Sequence, residues 1–199
     1  KAIIPVHLYG QACEITEIRK ICRKYNLTLI EDCAQSFGAK MNNQFTGTFG
    51  QFGCFSFFPT KNLGCAGDGG MVVTNSLQKA KILKKLRNHG GLVRNKHEYV
   101  GYNSRLDEIQ ASILLTKLKI INSINKKRIK IAKKYKKMIY NENIRLPYQS
   151  SKAHHVYNQF TIRVKNRNKF IKYLEKNQIP YGVYYPIPIY KQKAFKTYD

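Results

Sequence analysis

The stretch AIIPVHLYGQACEITEIRKICRKYNLTLIED, residues 2–32, decides the fold. Its opening run, Ala2 to Leu8, has the apolar character of a buried strand. From about Glu14 to Tyr25, the residues Ile15, Ile18, Cys22 and Tyr25 recur at helical spacing on one face. Leu27 to Ile30 is a second buried strand. Strand, helix and strand at this spacing form a βαβ unit, with two parallel strands under a covering helix. Two carboxylates, Glu31 and Asp32, follow directly. They stand at the carboxyl end of a strand, where open α/β sheets hold their ligands.

Outward from this unit, Phe52 to Phe58 and Met71 to Thr74 are further strands. Glycines at 47, 50 and 53, then at 64, 67, 69 and 70, surround them and imply tight turns and close backbone approach. A helix is expected from Leu77 to about Arg87, capped by Ser76. Ser104-Arg-Leu-Asp107 has the form of a capping box and opens a helix whose apolar face runs through Leu106, Ile109 and Ile113 towards Leu118. Ser123 caps a long basic helix ending near Asn141. Leu146-Pro147 reads as a boundary and Tyr148 to Ala153 as a linker. Val156 to Val164 is strand-like and Lys169 to Lys176 helical. The tail carries Pro180, Pro186 and Pro188 among tyrosines and reads as loop and edge strand. The layout is a large α/β domain over residues 1–146, followed by the start of a smaller α+β domain over 147–199.

With 199 residues, 43% of them hydrophobic, the chain can bury a substantial core. Its net charge of +25 raises the question of nucleic acid. The lysines are spread along the chain, however. The densest run, Lys126 to Lys137, carries Ile129, Ile131, Ala132 and Tyr135, as expected of a solvated helix face over a buried one. With no RNA-recognition motif and no zinc-finger spacing, no nucleic-acid partner is expected. Five cysteines without C-x-x-C spacing imply reduced thiols and a cytoplasmic protein. His154 and His155 lack a partner at ligand spacing, so no metal is expected. No long uncharged apolar run indicates a membrane span. The chain opens on Lys1, directly on a strand-like run, and we expect it to be part of a longer protein.

Three segments carry chemistry. Asp32 at its strand end can pair with a protonated ring nitrogen. In Ser56-Phe-Phe-Pro-Thr-Lys61-Asn-Leu-Gly64, an apolar strand delivers an amine through a proline turn into a glycine-rich loop, which suits Schiff-base chemistry. Ser56 and Thr60 can donate to phosphate oxygens. The third segment, Gly101-Tyr-Asn103-Ser-Arg105-Leu-Asp107, reads as a helix start, where backbone N–H groups favour anions. Each segment alone also fits a plain structural role: a turn, a surface lysine, a cap.

Together the three resemble the DegT/DnrJ/EryC1/StrS family of sugar aminotransferases. The likeness begins at Pro5-Val-His7-Leu-Tyr-Gly10 and continues through Glu31-Asp32-Cys-Ala-Gln35-Ser-Phe-Gly38. It is strongest in the Lys61 segment and in Gly67-Asp-Gly-Gly70-Met-Val. It then takes in Leu86-Arg-Asn-His89-Gly90, the Asn103 segment, His155-Val-Tyr157 and Tyr184-Tyr-Pro186-Ile-Pro188. The resemblance implies an aspartate-aminotransferase-like (type I) fold, with a mainly parallel sheet and pyridoxal 5'-phosphate as cofactor. Lys61 would carry the cofactor and move the proton between substrate and cofactor. Asp32 would face the pyridinium nitrogen, Gln35 the ring and its phenolic oxygen, and Ser56 the phosphate. Asn103 would reach the phosphate in the site of a neighbouring subunit, so that a homodimer shares its active sites. An amino acid, L-glutamate, would give its amino group to a nucleotide-linked keto-sugar.

Two departures stand out. Family members run to nearly twice this length, and their N-terminal part supplies a phosphate-holding turn and an aromatic that stacks on the ring. Tyr184 and Tyr190, expected to face the sugar-nucleotide, stand where many relatives carry His. A sugar-dehydratase branch of the family has His in place of the lysine, so Lys61 argues against it. The intact set Asp32, Gln35, Ser56, Lys61 and Asn103 argues against an inactive, regulatory homologue. The loop Pro59 to Gly64, followed by Gly67-Asp-Gly-Gly70, resembles the branch that aminates C3 of the sugar.

Overall fold

A computed structural model describes residues 1–198. In chain order the elements are β1 (Ala2–Ile3), α1 (Ile15–Lys24), β2 (Thr28–Asp32), β3 (Lys40–Met41), β4 (Gln44–Phe45), β5 (Phe52–Ser56) and β6 (Gly70–Val73). These are followed by α2 (Leu77–Leu86), α3 (Glu108–Leu118), α4 (Ile121–Met138), β7 (Ile144–Arg145), β8 (Ala153–His154), β9 (Arg163–Val164) and α5 (Arg167–Lys176).

The chain forms two compact units. One comprises residues 1–140 and 146–161, the other residues 141–145 and 162–199. In the first, a four-stranded sheet has the order β1-β2-β5-β6. The β1–β2 and β2–β5 pairs are parallel, and only β6 runs against its neighbour. A small antiparallel sheet, β4-β3-β8, joins it. Helix α1 buries Ile15 and Cys22 against Leu29, Met41 and Phe49, with Ile18 at the margin. Tyr25, expected on the same face, is 60% exposed. The second unit holds the antiparallel β7–β9 pair and α5.

Several elements differ from the sequence reading. The first strand stops at Ile3, because Pro5 has no N–H to continue a ladder. Pairing resumes only as a single bridge between Val6 and Asp32. The capping box at Ser104–Asp107 does not form. Residues 102–104 are instead held alongside the end of α2: Tyr102 N–H donates to Leu86 O (2.7 Å), His89 N–H to Tyr102 O (2.9 Å) and Ser104 N–H to Arg87 O (3.0 Å). Helix α3 begins four residues later, with Asp107 as an N-cap whose side chain makes no capping bond. Its buried apolar residue is Leu114, packed with Leu106 just before the helix and with Ile121 at the start of α4, while Ile109 is 74% exposed. Ser123 lies inside α4, which starts at Ile121. Of Val156–Val164 only Arg163–Val164 is strand, and the tail turns through short 3-10 segments at Ile189–Lys191 and Lys193–Tyr198. Ser76, by contrast, caps α2 as expected, accepting from Lys79 N–H at 3.3 Å.

Candidate active site

In β2 and β5, Asp32 is registered with Cys54, and across β5 and β6 Ser56 is registered with Gly70. Registered neighbours share a face and successive residues swap faces. Asp32, Cys54 and Ser56 therefore lie on one face of the sheet, Glu31 and Phe55 on the other. Burial, and then the charge of Asp32, push the Cys54 thiol up from its ordinary range, as expected of side chains sharing a face.

Glu31 is fully buried and its carboxylate is saturated with donors. Oε1 accepts the N–H groups of Phe49 and Gly50, both at 2.7 Å. Oε2 accepts Gly47 N–H at 2.7 Å and His7 Nε2–H at 2.9 Å. The His7 tautomer follows from its other nitrogen: Nδ1 accepts the Cys13 N–H at 3.2 Å, so the ring proton sits on Nε2. Burial alone would raise the Glu31 carboxyl, but the bonds from His7, Gly50 and Gly47 outweigh it and hold it below the ordinary value. Two glycines make this cradle possible. Gly47 has φ +87°, and a Cβ there would meet the Phe55 ring at 2.7 Å; at Gly50 a Cβ would stand 2.4 Å from Leu29 O.

Asp32 is fixed through its backbone. Its N–H donates to Pro5 O (2.9 Å), and its carbonyl accepts from His7 N–H (3.0 Å). One carboxylate oxygen accepts Ala34 N–H at 2.9 Å. Gln35, buried just beyond, accepts Tyr9 N–H on Oε1 at 2.6 Å.

Lys61 sits in the loop after β5, half-buried, its N–H donating to Phe58 O at 2.9 Å. The residues after it are tied down. Asn62 is buried, and its amide donates to Asn125 Oδ1 (2.7 Å) in α4 and to Val156 O (3.1 Å). Leu63 and Cys65 pack on Leu114 and Ile121. Gly64 O accepts from Lys117 Nζ (2.6 Å), and Ala66 N–H donates to Gln110 Oε1 (2.8 Å). One stripe of α3, Gln110-Leu114-Lys117, thus anchors the loop that carries Lys61. Among the described residues, neither Lys61 nor Asp32 forms an ion pair.

Asn103 is exposed and bridged to Asn88, in an extended segment rather than at the helix start expected from sequence. Tyr184 and Tyr190 belong to the second unit and are 51% and 66% exposed. Two features were not singled out in the sequence: the His7–Glu31 pair and the Asn62–Asn125 bond. The glycines at 47 and 50 and the two-residue alternation of β2 were the available signals for the first.

Ligand atoms of His7, Glu31 and Cys33 lie within 4.8 Å of one another, the spacing of a metal site. Their chemistry argues against one. Both Glu31 oxygens and His7 Nδ1 are already occupied by N–H donors. Burial, and then the charge of Glu31, push the Cys33 thiol far up, away from the thiolate that binds metals.

The DegT/DnrJ/EryC1/StrS aminotransferase family model matches residues 1–199. The chain belongs to this family. It is 46% identical over 195 residues to the UDP-N-acetyl-3-dehydro-alpha-D-glucosamine 3-aminotransferase of Acidithiobacillus ferrooxidans, covering 98% of this chain and 53% of that one. To the dTDP-3-amino-3,6-dideoxy-alpha-D-galactopyranose transaminase of Aneurinibacillus thermoaerophilus it is 45% identical, covering 100% and 55%. The chain thus spans about half the length of these curated relatives. Among solved structures, a family aminotransferase from Brucella abortus superposes with a TM-score of 0.94 at 38% identity, over 98% of this chain and 52% of that one. NtdA of Bacillus subtilis, solved with the bound cofactor PMP, superposes with a TM-score of 0.85 at 33% identity, over 97% and 45%. The sheet of the first unit is accordingly that of the family's aspartate-aminotransferase-like fold.

Proposed function

We propose that the full-length protein is a pyridoxal-phosphate-dependent aminotransferase that moves an amino group from L-glutamate to C3 of a nucleotide-linked keto-sugar, for amino-sugar and surface-polysaccharide synthesis. The observation that carries the reading is the pairing of β2 with β5. It sets a half-buried carboxylate, Asp32, on the same sheet face as Ser56, five residues ahead of an amine whose loop is anchored on α3 and α4. The donor set fits pyridoxal phosphate: an amine without an ion-pair partner among the described residues, a carboxylate for a ring nitrogen and a hydroxyl for phosphate.

When bound, the cofactor supplies the electron sink that makes loss of a proton from the amino-bearing carbon feasible. Lys61 Nζ would hold the cofactor and serve as the group that accepts and returns that proton. The Asp32 carboxylate keeps the ring nitrogen protonated. Gln35, its amide oxygen fixed by Tyr9 N–H, would lie beside the ring. Ser56 Oγ donates to the phosphate. Asn103 serves the site of a second subunit, and its exposure in this chain suits that role. Tyr184 and Tyr190 contact the sugar-nucleotide. In the whole protein, the cofactor domain would extend over residues 1–146 and the smaller domain would begin from 147, although residues 146–161 pack with the first unit and 141–145 with the second. The cytoplasmic assignment rests on the free cysteines among the described residues. No helix among them is long and apolar enough to cross a membrane.

The C3 assignment is supported by the names of the two relatives above, both 3-amino-sugar enzymes. Matched 3-keto and 4-keto nucleotide sugars, assayed with the full-length protein and L-glutamate, test it. Amination of the 3-keto compound is expected; preferential turnover of the 4-keto compound overturns the choice of carbon.

A further inference from the structure

We propose that His7 and Glu31 are positioning residues for Asp32: the buried pair clamps the end of β2 from one sheet face, so that the Asp32 carboxylate is presented from a fixed point on the other. This rests on the reading that Asp32 faces the cofactor's ring nitrogen.

The clamp has two arms that meet at His7. Its backbone N–H is bonded to the Asp32 carbonyl, and its ring to the side chain of the preceding residue, Glu31. The β1 strand has ended by this point and Pro5 has no N–H to give. His7 is therefore the residue whose N–H fixes the carbonyl end of Asp32 against the segment after β1. Glu31 extends the hold to the loop at 47–50, through three N–H groups at 2.7 Å.

A carboxylate with all lone pairs engaged in a dry site is an expensive way to fill a core position, which an apolar residue would fill more simply. The arrangement is also rigid. Charge-assisted bonds of this length fix both partners, and no solvent reaches either side chain to offer an alternative. Rotation of the Glu31–Asp32 peptide would break the Asp32 N–H bond to Pro5 O and disturb the four bonds of the Glu31 side chain. Positional error at a reacting group costs rate steeply, about a hundredfold for 1 Å, so a clamp on the Asp32 backbone acts directly on the carboxylate's usefulness.

Two amide replacements of His7 separate clamping from mere packing. His7→Gln carries its donor at the reach of Nε2 and keeps the bond to Glu31. His7→Asn keeps an acceptor for Cys13 N–H but falls short of Glu31. The full-length protein, reconstituted with pyridoxal phosphate, is compared as wild type, His7→Gln, His7→Asn, Glu31→Gln and Asp32→Asn. Three quantities are read: the pH at which the bound cofactor's visible absorbance changes, the cofactor dissociation constant by equilibrium dialysis, and the thermal midpoint. Asp32→Asn is expected to shift the absorbance titration and weaken cofactor binding. His7→Asn and Glu31→Gln should shift the titration in the same direction and weaken binding by about tenfold, with His7→Gln close to wild type. Should Glu31→Gln fail to fold, the two His7 variants carry the comparison. A His7→Asn protein with a lowered thermal midpoint but an unchanged titration and dissociation constant overturns the clamp and leaves a packing pair. If Asp32→Asn itself moves neither cofactor readout, the assignment of Asp32 falls, and the clamp with it.

Discussion

Glu31 and Asp32 are consecutive residues of β2 whose carboxylates leave the sheet on opposite faces: Glu31 into a dry cradle of four donors, Asp32 onto the face shared with Cys54 and Ser56. The cradle is closed by backbone that only glycine can bring so near. Gly50→Ala would place a methyl 2.4 Å from Leu29 O, and Gly47→Ala would add a side chain at φ +87° against Phe55. Each substitution is expected to destabilise the full-length protein by about 1–3 kcal/mol, through overpacking at both positions and, at residue 47, a strained φ as well. Denaturant titration checks this, and a wild-type midpoint for both would contradict the cradle.

Acid should find this core vulnerable through a second group. His155 is 4% exposed, stacks on Tyr157 at 3.8 Å, and is held neutral by burial, which lowers its pKa from 6.5 to about 4. Between those values the unfolded chain binds a proton that the folded one refuses. The stability from keeping His155 neutral is therefore fully present above pH 6.5 and is lost as pH falls towards 4. The loss is up to about 3 kcal/mol, at 1.36 kcal/mol per pKa unit. Unfolding free energies measured from pH 7 to 4 should fall in wild type and fall less in His155→Gln.

Asn125 joins α4 to the Lys61 loop, accepting from the Asn62 amide and donating to Phe37 O at 3.2 Å. Asn125→Ala strands both partners in a buried site, at an expected cost of about 1–3 kcal/mol. Because the same bond holds the residue after Lys61, turnover should fall as well as stability. A thermal midpoint and kcat both at wild-type level would contradict the anchoring role.

A shared active site predicts complementation. Lys61→Ala and Asn103→Ala, each inactive as a homodimer, should regain activity when mixed under conditions of subunit exchange, because one hybrid site keeps both residues. No recovery with exchange demonstrated would count against Asn103 serving a partner.

Much of the first unit was legible in the sequence. The strands β2 and β5, the helical spacing of Ile15, Ile18 and Cys22, and the cap at Ser76 depend on near neighbours and appear where expected, although β2 runs on through Glu31 and Asp32 and β5 stops at Ser56 rather than Phe58. The start of α3 was not legible, because Tyr102 and Ser104 bond to the end of α2, a choice that no local pattern records. The face of α3 was misread for a related reason. Gln110 and Lys117 look like solvent residues, yet they lie on the inner stripe because the loop after Lys61 offers them a backbone N–H and a carbonyl. The sequence shows Glu31 beside Asp32 but gives no direct sign of its role. That role lies in bonds to residues 16 to 24 positions away in the chain.

The central claim is that the amine of Lys61 carries the cofactor. Borohydride reduction of the full-length protein loaded with pyridoxal phosphate, followed by peptide mass mapping, tests it most directly. Expected is a single pyridoxyl adduct on the peptide containing Lys61, absent from Lys61→Ala. An adduct on another lysine that persists in Lys61→Ala would contradict the account.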